Sequence, residues 1–106
     1  MMTFDTKPTR QQLEDKSFWD NLPLEGALFD GYLYAPTFAI LKDGQPISYQ
    51  SDGDKNMINQ FSYSLALEEI QRLSKEYNDI SMEINGYFDL CCQQRRKTFG
   101  RFHQAA

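Results

Sequence analysis

His103 is the only histidine in the 106-residue chain, and Cys91 and Cys92 are its only thiols. A cysteine nucleophile needs a base positioned beside it, and neither cysteine lies in a C-x-x-C pattern or near an identifiable base in the sequence. One tail histidine and two adjacent cysteines also lack the spaced ligand pairs of a structural zinc site. Asp52, Gly53 and Asp54 match the opening of a calcium loop, but the later ligands and the closing glutamate are missing, and a helix cap accounts for them. The six glycines are scattered singly, so no phosphate-cradling loop exists. The expectation is a protein that is not an enzyme and uses no metal or cofactor. Cys91 or Cys92 acting as a nucleophile is the enzymatic alternative.

Charge is the next resource. Seven basic residues against fifteen acidic ones leave residues 1–90 at −8, and Arg95, Arg96, Lys97 and Arg101 add +4 beyond them. An acidic body disfavours general attraction to phosphate backbones and suits a basic protein surface. Glu68, Glu69, Glu76 and Asp79 are the expected contact residues, together with a strand edge that includes Gln45 and Tyr49. Glu68 and Glu69 also pair at helical spacing with Arg72 and Lys75, which is the plain reading of a solvated face. The basic segment 93–106 interleaves Arg95, Arg96, Lys97 and Arg101 with Phe99 and Phe102, a set that could meet phosphates and stack on bases. The competing expectation, which we favour, is that the two phenylalanines complete the core or a dimer seam.

These side chains have to be positioned by a small set of elements. Residues 1–8 read as a loose arm. Thr9 and Gln12 then form a capping box that starts a short helix through about Asn21, with Trp19 as a buried packing residue. Ala27 to Tyr34 reads as a strand, interrupted at Ala35 and Pro36. Asp43 and Gly44 suit a two-residue turn with positive φ at both positions, so Thr37–Gln50 is expected to be a hairpin pairing Lys42 with Gln45, Ile40 with Ile47 and Phe38 with Tyr49. Pro46 falls opposite Leu41 and marks an edge strand.

From Asp54 to Asn78, Met57, Ile58, Phe61, Leu65, Ala66, Ile70, Leu73 and Tyr77 recur at helical spacing, which predicts one long central helix with a broad, drifting apolar stripe. Ile80, Met82 and Ile84 alternate as a half-buried strand. Asn85 and Gly86 resemble a second tight turn, but that register sets Asp89 opposite Met82. Either a bulge shifts the pairing or the chain turns into a helix near Tyr87, and the spacing of Phe88, Cys92, Phe99 and Phe102 favours the helix.

The expected fold is therefore one α+β domain over residues 1–106. A small, mostly antiparallel sheet, made of the hairpin plus one or two further strands, packs on one long central helix beside a short N-terminal helix. The N-terminus lacks a signal-peptide pattern, no apolar run spans a membrane, and adjacent cysteines make no disulfide framework, so a reducing, cytoplasmic setting is expected. The functional expectation is a small acidic module that binds another protein or ribonucleoprotein as an inhibitor or regulator, with a homodimer as a further option. In size and charge it is similar to phage or mobile-element anti-defence proteins, such as anti-CRISPR and anti-restriction inhibitors, and to toxin immunity proteins, an analogy with no shared motif. The alternative is a nucleic-acid-binding accessory protein that uses the basic aromatic tail.

Overall fold

Strand β3, Tyr32–Lys42, is the element on which the others assemble, in a computed structural model that describes residues 2–50, 56–57, 59–89 and 95–102. Before it come β1 (Thr3–Phe4), α1 (Arg10–Leu13), α2 (Lys16–Asp20) and β2 (Ala27–Phe29). After it come β4 (Gln45–Pro46), β5 (Tyr49–Gln50), β6 (Asn56–Met57), α3 (Tyr63–Leu73), β7 (Ile80–Asp89), β8 (Arg95–Thr98) and a 3-10 turn at Gly100–Phe102. The main sheet runs β1-β2-β3-β7-β8, with β4 also on β3, and β1 joins β2 in parallel, so the sheet is mixed. β5 and β6 form a separate two-stranded ribbon.

The expected long central helix does not form. Its helical part is confined to Tyr63–Leu73, Asn56–Met57 is strand, and Phe61 is bridged to Phe38 by two backbone hydrogen bonds, Phe38 N to Phe61 O at 2.7 Å and Phe61 N to Phe38 O at 2.8 Å. The long-range pairing satisfies the backbone of Phe61 as well as a helix would and leaves its half-buried ring packed against the core, so tertiary context overrides the apolar spacing. The broad, drifting stripe was the sum of an extended segment and a shorter helix. Ser62, in an extended conformation, sits at the helix N-cap, and the helix closes at Ser74 rather than at Asn78. The Asp52 and Asp54 caps lie outside the described residues.

The N-terminal helix is two short ones. The Thr9–Gln12 capping box is present, with Gln12 N donating to Thr9 Oγ1 at 3.1 Å and Thr9 N to Gln12 Oε1 at 2.9 Å. Asp15 then accepts from Ser17 N and restarts the chain as α2. The hairpin turn also forms, with φ at +53° for Asp43 and +78° for Gly44 and with Lys42 opposite Gln45 and Leu41 opposite Pro46. Ile47 N still donates to Ile40 O, but Tyr49 leaves the ladder to pair with Met57, so the hairpin is shorter than Thr37–Gln50.

β7 runs straight through Asn85 and Gly86, the pair that resembles a tight turn, and the tail forms β8 in place of the favoured helix. The mismatch at Asp89 is resolved by a bulge. Thr37 pairs with Gly86 and Phe38 with Ile84, leaving Asn85 as the extra residue. Beyond the bulge Tyr87 and Asp89 return to the face that carries Met82 and Ile84.

Register assigns the two faces. Tyr34, Pro36, Phe38 and Ile40 of β3 share one face with Met82, Ile84 and Tyr87 of β7. All three helices pack there: Trp19 is fully buried and stacks on Tyr87 at 5.2 Å, Tyr63 meets Phe38, and Ala66 and Leu73 join the same core, with Leu13 against it. The opposite face carries Ala39 and Leu41, covered by Phe102, and further along the half-buried Leu33, Ala35 and Phe88.

Candidate functional site: a cleft in the sheet edge

Pro36 lies inside β3, where the sequence suggested a break. Phe38 turns both its backbone groups toward Phe61, away from β7, so by strand alternation Pro36 turns its own toward the same edge. Among the described residues, no strand pairs with the edge at that point. β2 stops at Ala27 opposite Tyr34, and Phe61 takes over at Phe38. A proline lacks the donor that such a gap would leave unpaired, which is why it is tolerated here.

The gap opens into a cleft of about 260 Å³. Leu33, Ala35 and Phe88, on the face opposite the helices, form its apolar floor, with the buried Pro36 at its back; Leu24 and Glu25, carried by the turn in which Gly26 N donates to Pro23 O, stand on one side. Ser62, Tyr63 and Ser64 at the start of α3 form another side, and Arg96 of β8 lies over the Phe88 ring, its guanidinium carbon 5.9 Å from the centroid. Arg96 Nη1 also donates to Gln60 O at 3.0 Å.

A buried polar network holds this wall in place. Asn59, 3% exposed, acts as a substitute peptide group for β3: its Oδ1 accepts from Ile40 N at 2.9 Å, and its Nδ2 donates to Ile40 O at 2.8 Å and to Ile47 O at 3.1 Å. Gln60 Nε2 donates to Thr37 Oγ1 and to Lys97 O, Thr37 Oγ1 donates to Asn85 Oδ1, and Asn85 Nδ2 donates to Asn59 O at 2.7 Å. The network joins β3, the bulge of β7, β8 and the segment before α3. Buried polar groups that partner one another in this way fix one arrangement rather than add much net stability.

The residues singled out for protein contact do not come together as one surface. Glu68, Glu76, Asp79 and Gln45 are exposed, whereas the Glu69 side chain is 15% exposed and accepts from Arg72 Nε. Asp79 O accepts from Asp43 N, which brings Asp43 beside it at one end of the sheet. Tyr49 turns its ring against Phe61, its hydroxyl buried. Glu69 is close enough to disfavour the phenolate but does not approach with hydrogen-bond geometry.

Burial first and Glu69 second push the Tyr49 pKa up to about 12. The sign follows: stability linked to the neutral phenol is fully present below the ordinary tyrosine range near pH 10 and is lost as pH rises toward 12. Tyr49→Phe is expected to leave stability at neutral pH within about 0.5 kcal/mol and to remove part of the decline above pH 10, measured by denaturant unfolding across that range. An unchanged alkaline profile would contradict this assignment.

Among the tail residues, Arg96 and Lys97 are exposed on opposite faces of β8, Phe99 packs toward Tyr87 and Phe102 is buried. Both phenylalanines are thus committed to the core, which removes the stacking platform a single-stranded nucleic acid would use. Arg95 begins β8 and Arg101 lies in the 3-10 turn. Cys91, Cys92 and His103 lie outside the described residues. Among the described residues no three His, Cys, Asp or Glu side chains gather as a metal site, and no helix is long and apolar enough to cross a membrane.

Sequence reasoning did not find the cleft or the Asn59 network. A polar pair, Asn59 and Gln60, amid Met57, Ile58 and Phe61 was the available signal, because a helix would have left both in water. Compared with protein-family models, with curated proteins and with solved structures, the chain finds no match.

Proposed function

We propose that this protein is a non-enzymatic binding module, an inhibitor or regulator of another protein in the cytoplasm, and that it seats an apolar side chain of its partner in the β3 cleft. The observation that carries this reading is the cleft itself, an apolar floor with a rim of polar groups held by a buried hydrogen-bond network. Interfaces concentrate their binding energy where a large side chain enters such a pocket and excludes water. The exposed acidic residues Glu68, Glu76 and Asp79 then act at longer range, favouring partners with basic surroundings and raising the association rate. The analogy with phage anti-defence and immunity proteins remains one of size and charge.

The test is an affinity capture from host lysate, with and without nuclease treatment, using three proteins: the natural chain, Ser64→Trp and Gln71→Trp. Residues 64 and 71 are both exposed on α3, but only Ser64 lines the cleft. A captured protein that is retained by Gln71→Trp and lost by about tenfold or more with Ser64→Trp supports docking in the cleft. Equal capture by both variants would place the interface elsewhere, and material that disappears on nuclease treatment would favour the nucleic-acid reading.

A further inference from the structure

Arg96 gives the cleft a chemical preference. The described ion pairs of this acidic protein use Arg10, Lys16 and Arg72, and none uses Arg96. Its guanidinium rests on the Phe88 ring and, among the described residues, spends one of its five donors, on Gln60 O. Glu25, at the cleft rim, forms no ion pair with it and repels anions from its own position. A ligand anion is therefore oriented toward Arg96. The volume of about 260 Å³ exceeds the roughly 150 Å³ of a dry cavity known to accept benzene, so one aromatic ring fits.

From this geometry, and resting on the docking reading above, we infer that the cleft recognises a peptide segment in which a large apolar residue adjoins an acidic one, the ring or branched chain lying on Leu33, Ala35 and Phe88 and the carboxylate meeting Arg96. The local preference is opposite in sign to the field of the acidic body. Selectivity thus resides in one contact.

Capped dipeptides test this without knowledge of the partner: acetyl-Phe-Glu-amide, acetyl-Phe-Gln-amide and acetyl-Phe-Lys-amide, titrated into the whole protein and followed by amide chemical shifts. The Glu peptide is expected to move the Leu33, Ala35 and Phe88 signals with an affinity about threefold to tenfold above the Gln peptide, between an exposed ion pair and a charge-assisted hydrogen bond. The Lys peptide should bind least. Arg96→Gln should abolish the difference between Glu and Gln peptides while leaving the Gln peptide bound, and Arg96→Lys should restore part of it. If Glu and Gln peptides bind alike to the natural protein, the acidic preference is wrong and the docking cleft stands. If none of the three shifts a cleft signal, both are wrong.

Discussion

Gly86→Ala is expected to lower stability by about 3 kcal/mol or more and to detach β8 from β7. A Cβ at residue 86 would stand 1.8 Å from Lys97 O and 2.7 Å from Gln60 Nε2. The first of these is backbone and has no freedom to rotate away, so either β8 withdraws or the bulge is rebuilt. Gln60 is displaced with it, which breaks the network behind the cleft. Urea unfolding gives the number directly, and the melting temperature should fall by more than about 10 °C. Gly100→Ala is the control, because nothing lies within 4 Å of a Cβ there and its backbone has no positive φ. A Gly86→Ala protein as stable as the Gly100→Ala protein would show that the strands do not approach so closely.

The second large effect is expected at Asn59. Asn59→Leu keeps the branched shape, though with a bulkier end, but removes all three hydrogen bonds to Ile40 and Ile47, leaving the buried Ile40 N–H unpartnered, at a cost of about 2–4 kcal/mol. Asn59→Asp separates packing from charge. It keeps the acceptor for Ile40 N but turns a carboxylate on the carbonyls of Ile40 and Ile47, in a place with almost no water. Its pKa is raised by burial and by those oxygens, so stability should be low at neutral pH and should recover as pH falls and the group gains the proton it can donate. Denaturant midpoints at acidic and neutral pH, each compared with the natural protein, measure this. A pH-independent difference would mean that the carboxylate reaches solvent and that the segment before α3 is not clamped to β3.

What was readable in the sequence was local. The Thr9–Gln12 capping box and the Asp43–Gly44 turn depend on residues a few positions apart, and the alternation of Ile80, Met82 and Ile84 needs only one strand. The long helix was misread because Met57, Ile58 and Phe61 lie at a spacing that continues the true α3 pattern, while the contact that decides the conformation of Phe61, its pairing with Phe38, lies far away in sequence. The same holds at Asn85 and Gly86. The failed hairpin register was a sound warning of a bulge, but the strand that uses the bulge is β3, which a local test does not reach. The cleft is harder still to foresee, since it exists where two pairings with β3 stop short of each other. Pro36 was its one trace, and read alone it looked like the end of a strand.

The central place of β3 also gives the molecule a folding order. Its turn into β4 joins neighbours in sequence, and a hairpin of this kind closes in about 1–10 μs. The ladder to β7 instead joins Tyr34 to Asp89 and Lys42 to Ile80, and the edge is completed only when Phe61 arrives from a third part of the chain. Closing such loops precedes the stabilisation that pairing returns, which puts the protein with domains that fold in about milliseconds to seconds. For that interval β3 is an incomplete strand in search of neighbours, a state in which chains can pair with one another. Pro36 offers a foreign strand no donor at the middle of that edge, so the residue that stands at the cleft in the finished fold also discourages a wrong partner while the fold is being made.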